Sequence, residues 1–157
     1  MELVLNCSHR NEVISINDTQ MKGALTEQRC FLKCLELGMS VSKPICDNAR
    51  YDFILDTGKS LLRIQVKTSR WKNELKEAIV FNCYSQHSLG TGNKVMKYTS
   101  DEVDFFMTEK DGIFYLVPVP ENGVREKVLR FKVPASGQTK NISFASDFVF
   151  DEVIKSY

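Results

Sequence analysis

The sequence lacks the features that mark membrane and secreted proteins. No run approaches the roughly 20 apolar residues that a membrane-spanning helix needs. The opening stretch MELVLNCSHRNE has neither the basic start nor the apolar segment and small-residue cleavage site of a secretory signal. We therefore expect a protein without a signal peptide or a membrane partner, located in the cytoplasm or an equivalent organellar compartment.

Few residues are suited to thiol, zinc or covalent chemistry. The five cysteines form no CxxC pair, which argues against a disulfide framework and a structural zinc site. Cys30 and Cys34 stand one helical turn apart, where packing is a simpler role than a shared metal. The two histidines, His9 and His87, offer no Ser-His-Asp or Cys-His arrangement. The stretch GTGNK (90–94) lacks the spacing of a phosphate-binding loop.

Positive charge, in contrast, is concentrated in the middle of the chain. Residues 58–97 carry eight basic and two acidic side chains, whereas the segments before and after are net negative and the whole chain is +1. Such a basic segment in an acidic frame suits a polyanionic partner, although a lysine-rich solvated face would give the same count.

The pattern of apolar and turn residues predicts a single α/β or α+β domain. A helix is expected from Thr19 to Leu37, with Asp18 or Thr19 as N-cap and Gly38 just beyond its end. Asp111-Gly112 predicts a hairpin between two apolar strands. Residues 86–100 read as a polar loop, and a short helix capped by Ser146 ends the chain. Further strands are expected at residues 3–5, 13–16, 41–46, 51–56, 61–69, 78–85 and 128–133.

The predicted hairpin YDFILDTGKSLLRIQVKTSR (51–70) carries an unusual polar face. Strand alternation places Arg63, Gln65 and Lys67 on one side of an otherwise apolar strand. Two turn registers are possible. Both place Asp52 on the same face as Gln65 and Lys67, with side chains about 5–8 Å apart.

The first predicted helix adds a second carboxylate. On a helical wheel Glu27 falls inside the arc of apolar residues, where a carboxylate usually meets a cation, a donor or a metal. A structural bridge to a lysine would satisfy it equally well. Gln28 interrupts the same apolar pattern and could line the same site.

These residues suit hydrolysis of a phosphodiester. Asp52, the Gln65 amide oxygen and the Val66 carbonyl are hard oxygen ligands for a divalent cation, and Glu27 could complete the site directly or through water. Lys67 could hold the attacking water and offset charge in the transition state. Because Gln65 is uncharged, we expect one tightly held Mg²⁺ rather than two.

With these residues in place, the sequence resembles the PD-(D/E)XK nuclease superfamily, and within it the group I intron homing endonucleases related to archaeal-type Holliday junction resolvases. The resemblance is carried by residues 22–70, 79–85 and 98–119. It implies that Glu27 is the helix acid, Asp52 the motif aspartate, Gln65 the residue at the D/E position and Lys67 the motif lysine. Tyr51 stands where the motif has Pro, and Gln65 where it has an acid.

The resemblance implies a restriction-endonuclease-like mixed β-sheet flanked by helices, forming one domain over residues 1–157. Its core would span about residues 19–133, with an N-terminal extension (1–18) and a C-terminal helix or tail (134–157) of open role. It further implies Mg²⁺-dependent cleavage of double-stranded DNA, with Mn²⁺ as a possible substitute, by a homo-oligomer (tetramer or dimer).

Under this interpretation, basic and polar residues beyond the hairpin would contact DNA, and binding would weaken steeply with salt. They are Ser69, Arg70, Lys72, Lys76, Asn82, His87, Asn93, Lys94 and Lys97. Tyr98 and Asp104 also match family positions, where packing is an equally good role.

Three alternatives stay open on the sequence alone. The protein could be a junction resolvase or a restriction-like nuclease, which share the motif. Gln65 would also suit a catalytically inactive DNA-binding module on a nuclease fold. Finally, an unrelated α/β protein could use Glu27 and Lys67 as a structural bridge.

Overall fold

The computed structural model of the chain describes residues 19–46, 48–89, 92–134, 137 and 140–157, and it describes only the backbone of residues 87–89 and 93. The predicted strands at 3–5 and 13–16 and the Asp18 cap lie outside these residues. The elements, in chain order, are α1 (Thr19–Glu36), β1 (Ser40–Ser42), β2 (Phe53–Asp56), β3 (Leu61–Val66), β4 (Arg70–Trp71), β5 (Ala78–Asn82), β6 (Tyr84–Leu89), β7 (Gly92–Lys97), β8 (Phe105–Lys110), β9 (Ile113–Pro118), β10 (Glu126–Arg130) and α2 (Phe150–Val153). No helix in the described part of the chain is both long and apolar enough to cross a bilayer.

Helix α1 ends as the sequence predicts. Gly38 has a φ of 76°, which a residue with a side chain rarely adopts. This turn lets the Gly38 amide donate to the Leu35 carbonyl (2.9 Å) and the Met39 amide donate to the Cys34 carbonyl (3.2 Å). The chain then leaves the helix directly into the edge strand β1.

The central sheet is mixed. Its five strands follow the order β1-β2-β3-β8-β9; β3 and β8 pair in parallel, and the other neighbours are antiparallel. Strand β1 stops before Pro44 and lies at the edge, as expected for a strand near proline. Asp111 and Gly112, both with positive φ, form the predicted tight turn between β8 and β9.

Two further sheets differ from the sequence prediction. The expected strand over 61–69 is two strands, because β3 ends at Val66 and β4 begins at Arg70 in a separate sheet of order β10-β5-β4. The predicted loop over 86–100 is wrong for residues 86–89 and 92–97, because β6 and β7 pair antiparallel as a two-stranded hairpin. Within the described residues neither strand pairs with a third, and both sequences are largely polar, without the apolar alternation that marks a strand.

Apolar side chains pack on both faces of the central sheet. On one face, Cys30 and Cys34 of α1 join residues of β2 and β3 and the fully buried Phe150. On the other face, Phe106 joins residues from β5, β9 and β10. This alternation between neighbours such as Phe105 and Phe106 is what a strand covered on both faces requires.

The C-terminal segment corrects the predicted capped helix. It forms a 3₁₀ turn at Ala145–Phe148, then α2, then a second 3₁₀ turn at Ile154–Ser156. The Ser146 hydroxyl lies 3.3 Å from the Asp147 carboxylate and caps neither element. Burial of Phe150, rather than a cap, holds this segment to the core.

Arg63 on β3 forms an ion pair with Asp104, which lies directly before β8. The Arg63 guanidinium donates to both Asp104 carboxylate oxygens (2.7 and 3.1 Å), and the Arg63 amide donates to one of them (2.7 Å). Arg63 also donates to the carbonyls of Ser100 and Asp101. The recorded hydrogen bonds of Arg63 therefore go to the segment before β8 and not to Asp52.

We predict that Asp104→Ala lowers the free energy of unfolding by about 1–3 kcal/mol, because it leaves the Arg63 donors unpaired. Burial raises the pKa of Asp104, but the hydrogen bonds from Arg63 outweigh it and hold the pKa below 3.8. The stabilisation is thus present above pH 3.8 and lost as pH falls further. Urea unfolding measures both effects. Asp101→Ala is the control, since Asp101 holds Arg63 through its backbone; equal losses from both variants would contradict the prediction.

Candidate active site

The β2–β3 pairing places Asp52 opposite Gln65. Phe53 pairs with Ile64 and Asp56 with Leu61, so the register is the one in which Asp52 directly faces Gln65. The Asp52 amide continues this ladder by donating to the Ile64 carbonyl (2.8 Å). The turn at residues 57–60 thus sets which side chains meet at the far end of the hairpin.

At the next position of the ladder, the Asp52 carboxylate replaces a backbone carbonyl as the hydrogen-bond acceptor. Its Oδ2 accepts the Val66 amide at 2.6 Å and the Gln65 Nε2 at 2.8 Å. Within the described residues, no donor is recorded on the second oxygen, Oδ1. The fold therefore fixes one carboxylate oxygen of Asp52 through two hydrogen bonds.

A second carboxylate lies close to Asp52. Glu27 and Asp52 line a cavity of about 280 Å³, together with Lys43, Tyr51 and residues of the loop that follows β1. Burial raises the pKa of Asp52; the Val66 amide lowers it, and the nearby Glu27 charge raises it again. Two acids in one partly buried cavity favour a cation between or beside them.

The Glu27 side chain meets a lysine, but not Lys67. The Lys43 ammonium lies 2.5 Å from its Oε1, and the Glu27 side chain is 30% exposed. Glu27 therefore faces the cavity instead of the core. The bridge between Glu27 and Lys67 that an unrelated fold would have used does not form.

The Lys67 ammonium is held beside the same site. It donates to the Tyr84 carbonyl (3.2 Å) and the Tyr98 hydroxyl (3.3 Å), and it lies 4.4 Å from the centre of the Tyr98 ring. Burial lowers the pKa of Lys67 to about 8, although the negative charge of Asp52 opposes the shift. The side chain is thus a partly desolvated cation oriented by two residues next to the β6–β7 hairpin.

The available ligands fit a hard divalent cation. Val66 donates its amide to Asp52, so its carbonyl points to the same edge of β3, where β2 has ended. Gln65 is 8% exposed, and rotating its amide would turn the oxygen towards a cation beside Asp52. In the described part of the chain no cluster of three His, Cys, Asp or Glu residues that could hold a metal occurs, and Gln65 adds an amide to the two carboxylates. Carboxylate, amide and carbonyl oxygens are the ligands that Mg²⁺ prefers.

Sequence reasoning missed Arg50. Its guanidinium donates to the Ser85 hydroxyl (2.6 Å), the Lys97 carbonyl (2.9 Å) and the Glu102 carboxylate (3.0 and 3.3 Å). It also stacks 4.1 Å from the centre of the Tyr98 ring. The only signal in the sequence was its place two residues before Asp52.

The predicted DNA-contacting residues occupy different environments. Ser69 is buried, and its hydroxyl donates to the Glu109 carbonyl, so it is less accessible than the others. Arg70 is exposed and pairs with Glu126 at 3.1 Å. Asn82 on β5 is partly exposed. The lysines of this predicted set are all exposed: Lys72, Lys76, Lys94 and Lys97. The side chains of His87 and Asn93 lie outside the described residues.

Comparisons with known proteins agree with this geometry. A family model described as PD-(D/E)XK endonuclease matches residues 17–151. The solved structure of a bacterial homing endonuclease, I-Ssp6803I, is similar with a TM-score of 0.69 and 20% sequence identity, covering 88% of this chain and 95% of that one. No curated protein matches the chain. The mixed sheet flanked by helices that the resemblance implied is confirmed. Because the family model covers most of its length, this protein belongs to the PD-(D/E)XK endonuclease family and is an endodeoxyribonuclease.

Proposed function

We propose that the protein is a site-specific, Mg²⁺-dependent endonuclease of homing type that cleaves double-stranded DNA. The observation that carries this proposal is the pairing of Asp52 with Gln65 at the end of the β2–β3 hairpin, with the Lys67 ammonium near enough for the Asp52 charge to act on it. Similarity to a structure titled as a bacterial homing endonuclease supports the homing assignment. Mn²⁺ is expected to substitute for Mg²⁺, since both accept oxygen ligands.

Each residue has a distinct part in this reaction. Asp52, Gln65 and the Val66 carbonyl would hold the cation, with Glu27 bound directly or through water. The cation would act as a Lewis acid on the scissile phosphate. Lys67 would orient the attacking water and offset the negative charge that grows on the phosphate oxygens. Lys43 would hold the Glu27 side chain at the cavity through their ion pair.

The DNA-contacting surface is proposed to extend from β4 to the β6–β7 hairpin. Arg70 and Lys72 lie at or next to β4, and Lys94 and Lys97 lie on β7, which leads to Tyr98. Their positive charges would bind phosphates on both sides of the scissile bond. Asn82 would add a hydrogen-bonding group that can contact a base edge.

Cleavage of a panel of DNA substrates tests this function. The panel holds plasmids with the DNA that flanks the gene, unrelated plasmids and a four-way junction, each with Mg²⁺ and with EDTA. We expect a cut at one position in the flanking DNA, only with Mg²⁺. Preferred cleavage of the junction would identify a resolvase instead, and DNA binding with no cleavage of any substrate would identify an inactive binding module.

Helix α1 suggests how copies of the chain would assemble. The residues at spacings of four and three along its outer side are Met21, Leu25, Gln28, Leu32 and Leu35, all exposed. This apolar stripe lies opposite the buried Cys30 and Cys34. A heptad-like stripe is typical of a helix–helix interface.

We propose a second copy of the chain as the partner of this stripe. The stripe is nearly symmetric about Gln28, so two copies can pair antiparallel with each leucine facing an apolar residue. Lys22 and Glu36 flank the stripe on one side, near opposite ends of the helix. An antiparallel pairing would bring each Lys22 near a Glu36 of opposite charge, which favours this arrangement.

We predict that Leu32→Glu, which places a charge where the exposed side chain is 55% accessible, reduces the assembly to monomers. Light scattering coupled to size-exclusion chromatography measures the mass against the 18.0 kDa of one chain. Leu75→Glu is the matched control, because Leu75 is also exposed but lies outside α1. A wild-type monomer, or the same mass for both variants, would contradict the proposed interface.

A further inference from the structure

Arg50 joins the two strands of the β6–β7 hairpin at its base. Its guanidinium donates to the Ser85 hydroxyl on β6 and to the Lys97 carbonyl on β7. The Glu102 carboxylate, just beyond the hairpin, receives two further hydrogen bonds from Arg50. One side chain from the loop before Asp52 therefore ties together both strands and the segment that follows them.

Lys67 is held at the same end of the hairpin. The Lys67 ammonium donates to the Tyr84 carbonyl and the Tyr98 hydroxyl, and these residues are the direct neighbours of Ser85 and Lys97. Tyr84 and Lys97 are themselves cross-strand partners. A shift of this end of the hairpin would therefore move both oxygen atoms that orient Lys67.

The Tyr98 ring connects the two cations. Arg50 stacks 4.1 Å from its centre, and the Lys67 ammonium lies 4.4 Å from the same centre. Tyr98 is 4% exposed, so this arrangement is shielded from solvent. Glu102 neutralises Arg50 and so limits the repulsion between two cations on one ring.

We propose that Arg50 is a positioning residue for cleavage: it clamps the base of the β6–β7 hairpin and thereby fixes the Lys67 ammonium beside Asp52. This inference rests on the proposed nuclease function of the same site. A direct contact between Arg50 and DNA is the competing role. The geometry favours positioning, because the Arg50 side chain is only 21% exposed and each of its three guanidinium nitrogens already donates to a protein oxygen.

Arg63 provides a matched control for Arg50. It too forms a two-pronged ion pair with a carboxylate, donates to backbone carbonyls and is partly buried (34% exposed). None of its recorded hydrogen bonds reaches the β6–β7 hairpin or Tyr98. Arg50→Lys and Arg63→Lys both keep the charge and lose a planar, two-pronged donor.

The experiment compares single-turnover cleavage of the flanking-DNA substrate by wild type, Arg50→Lys and Arg63→Lys at saturating protein, with Mg²⁺. We expect Arg50→Lys to slow cleavage about 10- to 100-fold, because small misplacements of a reacting group have effects of that size. Its DNA dissociation constant should stay within about threefold of the wild-type value, since the charge is retained. Arg63→Lys should cleave at nearly the wild-type rate while losing comparable thermal stability.

A second readout does not depend on cleavage. Acetylation of Lys67 by an amine-reactive reagent, measured by mass spectrometry on the metal-free protein, should be faster in Arg50→Lys than in Arg63→Lys. Equal acetylation and equal cleavage in the two variants would overturn the positioning role. Weaker DNA binding by Arg50→Lys with an unchanged rate at saturation would show a DNA contact instead. A wild type that cleaves nothing would contradict the proposed function, and the acetylation comparison would still decide whether Arg50 positions Lys67.

Discussion

Lys67→Met is expected to reduce the rate of DNA cleavage by about 100-fold or more while the protein stays folded. Methionine keeps an apolar chain of similar length and removes only the ammonium group. In the structure that ammonium is oriented by Tyr84 and Tyr98 and is close enough to Asp52 for the carboxylate to influence its pKa. Under the proposed function, its loss removes the ammonium that would orient the attacking water and offset charge on the phosphate.

Lys127→Met is the control for this prediction. Lys127 is also partly buried, and its ammonium lies 5.3 Å from the centre of the Phe148 ring, but it lies on β10 and is not among the residues that hold Asp52. Burial lowers the pKa of Lys127 as it does that of Lys67. Single-turnover cleavage and thermal unfolding of both variants separate catalysis from stability. Similar cleavage rates for the two variants would show that Lys67 is not an active-site residue.

Asp52→Asn is expected to abolish Mg²⁺-dependent cleavage, with a loss of about 100-fold or more, and to weaken cation binding. An amide oxygen in place of Oδ2 can still accept the Val66 amide, so the end of the hairpin should be retained. The charge that draws the cation is lost. Calorimetric titration with Mg²⁺ should show one tightly bound ion in the wild type and much weaker binding in the variant.

The same variant should be at least as stable as the wild type when metal is absent. Burial and the neighbouring Glu27 raise the pKa of Asp52, which means that the folded protein disfavours its charged form. Asp147→Asn, at an exposed position, is the control for a general effect of removing a negative charge. A metal-free Asp52→Asn protein that unfolds far more readily would show that the carboxylate serves the fold and not a cation.

The hairpin face could be predicted because it depends on local rules. Side-chain alternation alone places Gln65 and Lys67 on one face, and either allowed turn brings Asp52 to that face. The structure selects the register that makes Asp52 and Gln65 direct partners. The Asp111-Gly112 turn was equally predictable, since two adjacent positive φ values leave few other residue choices.

The buried face of helix α1 was harder to predict, because the helix has more apolar residues than its contact with the core can cover. On a helical wheel Leu32 and Leu35 belong to the apolar arc that also holds Cys30 and Cys34, but the buried residues of the helix are Thr26, Cys30 and Cys34. Both leucines are exposed. A sequence shows which residues are apolar, but not which surface covers them.

The contacts of Arg50 and Glu27 depend on long-range packing. Arg50 contacts Ser85 and Glu102, which are far away in sequence. Ser85 lies on the β6–β7 hairpin, most of which the sequence predicts as a loop. Glu27 pairs with Lys43 because the segment that follows β1 lines the same cavity as Glu27. No local pattern encodes either pairing, so only the folded chain reveals them.

The most direct test of the proposed active site is incubation of wild type and Lys67→Ala with plasmids that carry the DNA flanking the gene, with Mg²⁺ and with EDTA. We expect wild type with Mg²⁺ to linearise the plasmid at one position, leaving 5′-phosphate and 3′-hydroxyl ends. Neither the variant nor the EDTA samples should cut. Cleavage by wild type in EDTA, or equal cleavage by Lys67→Ala, would contradict a metal-dependent site formed by Asp52, Gln65 and Lys67.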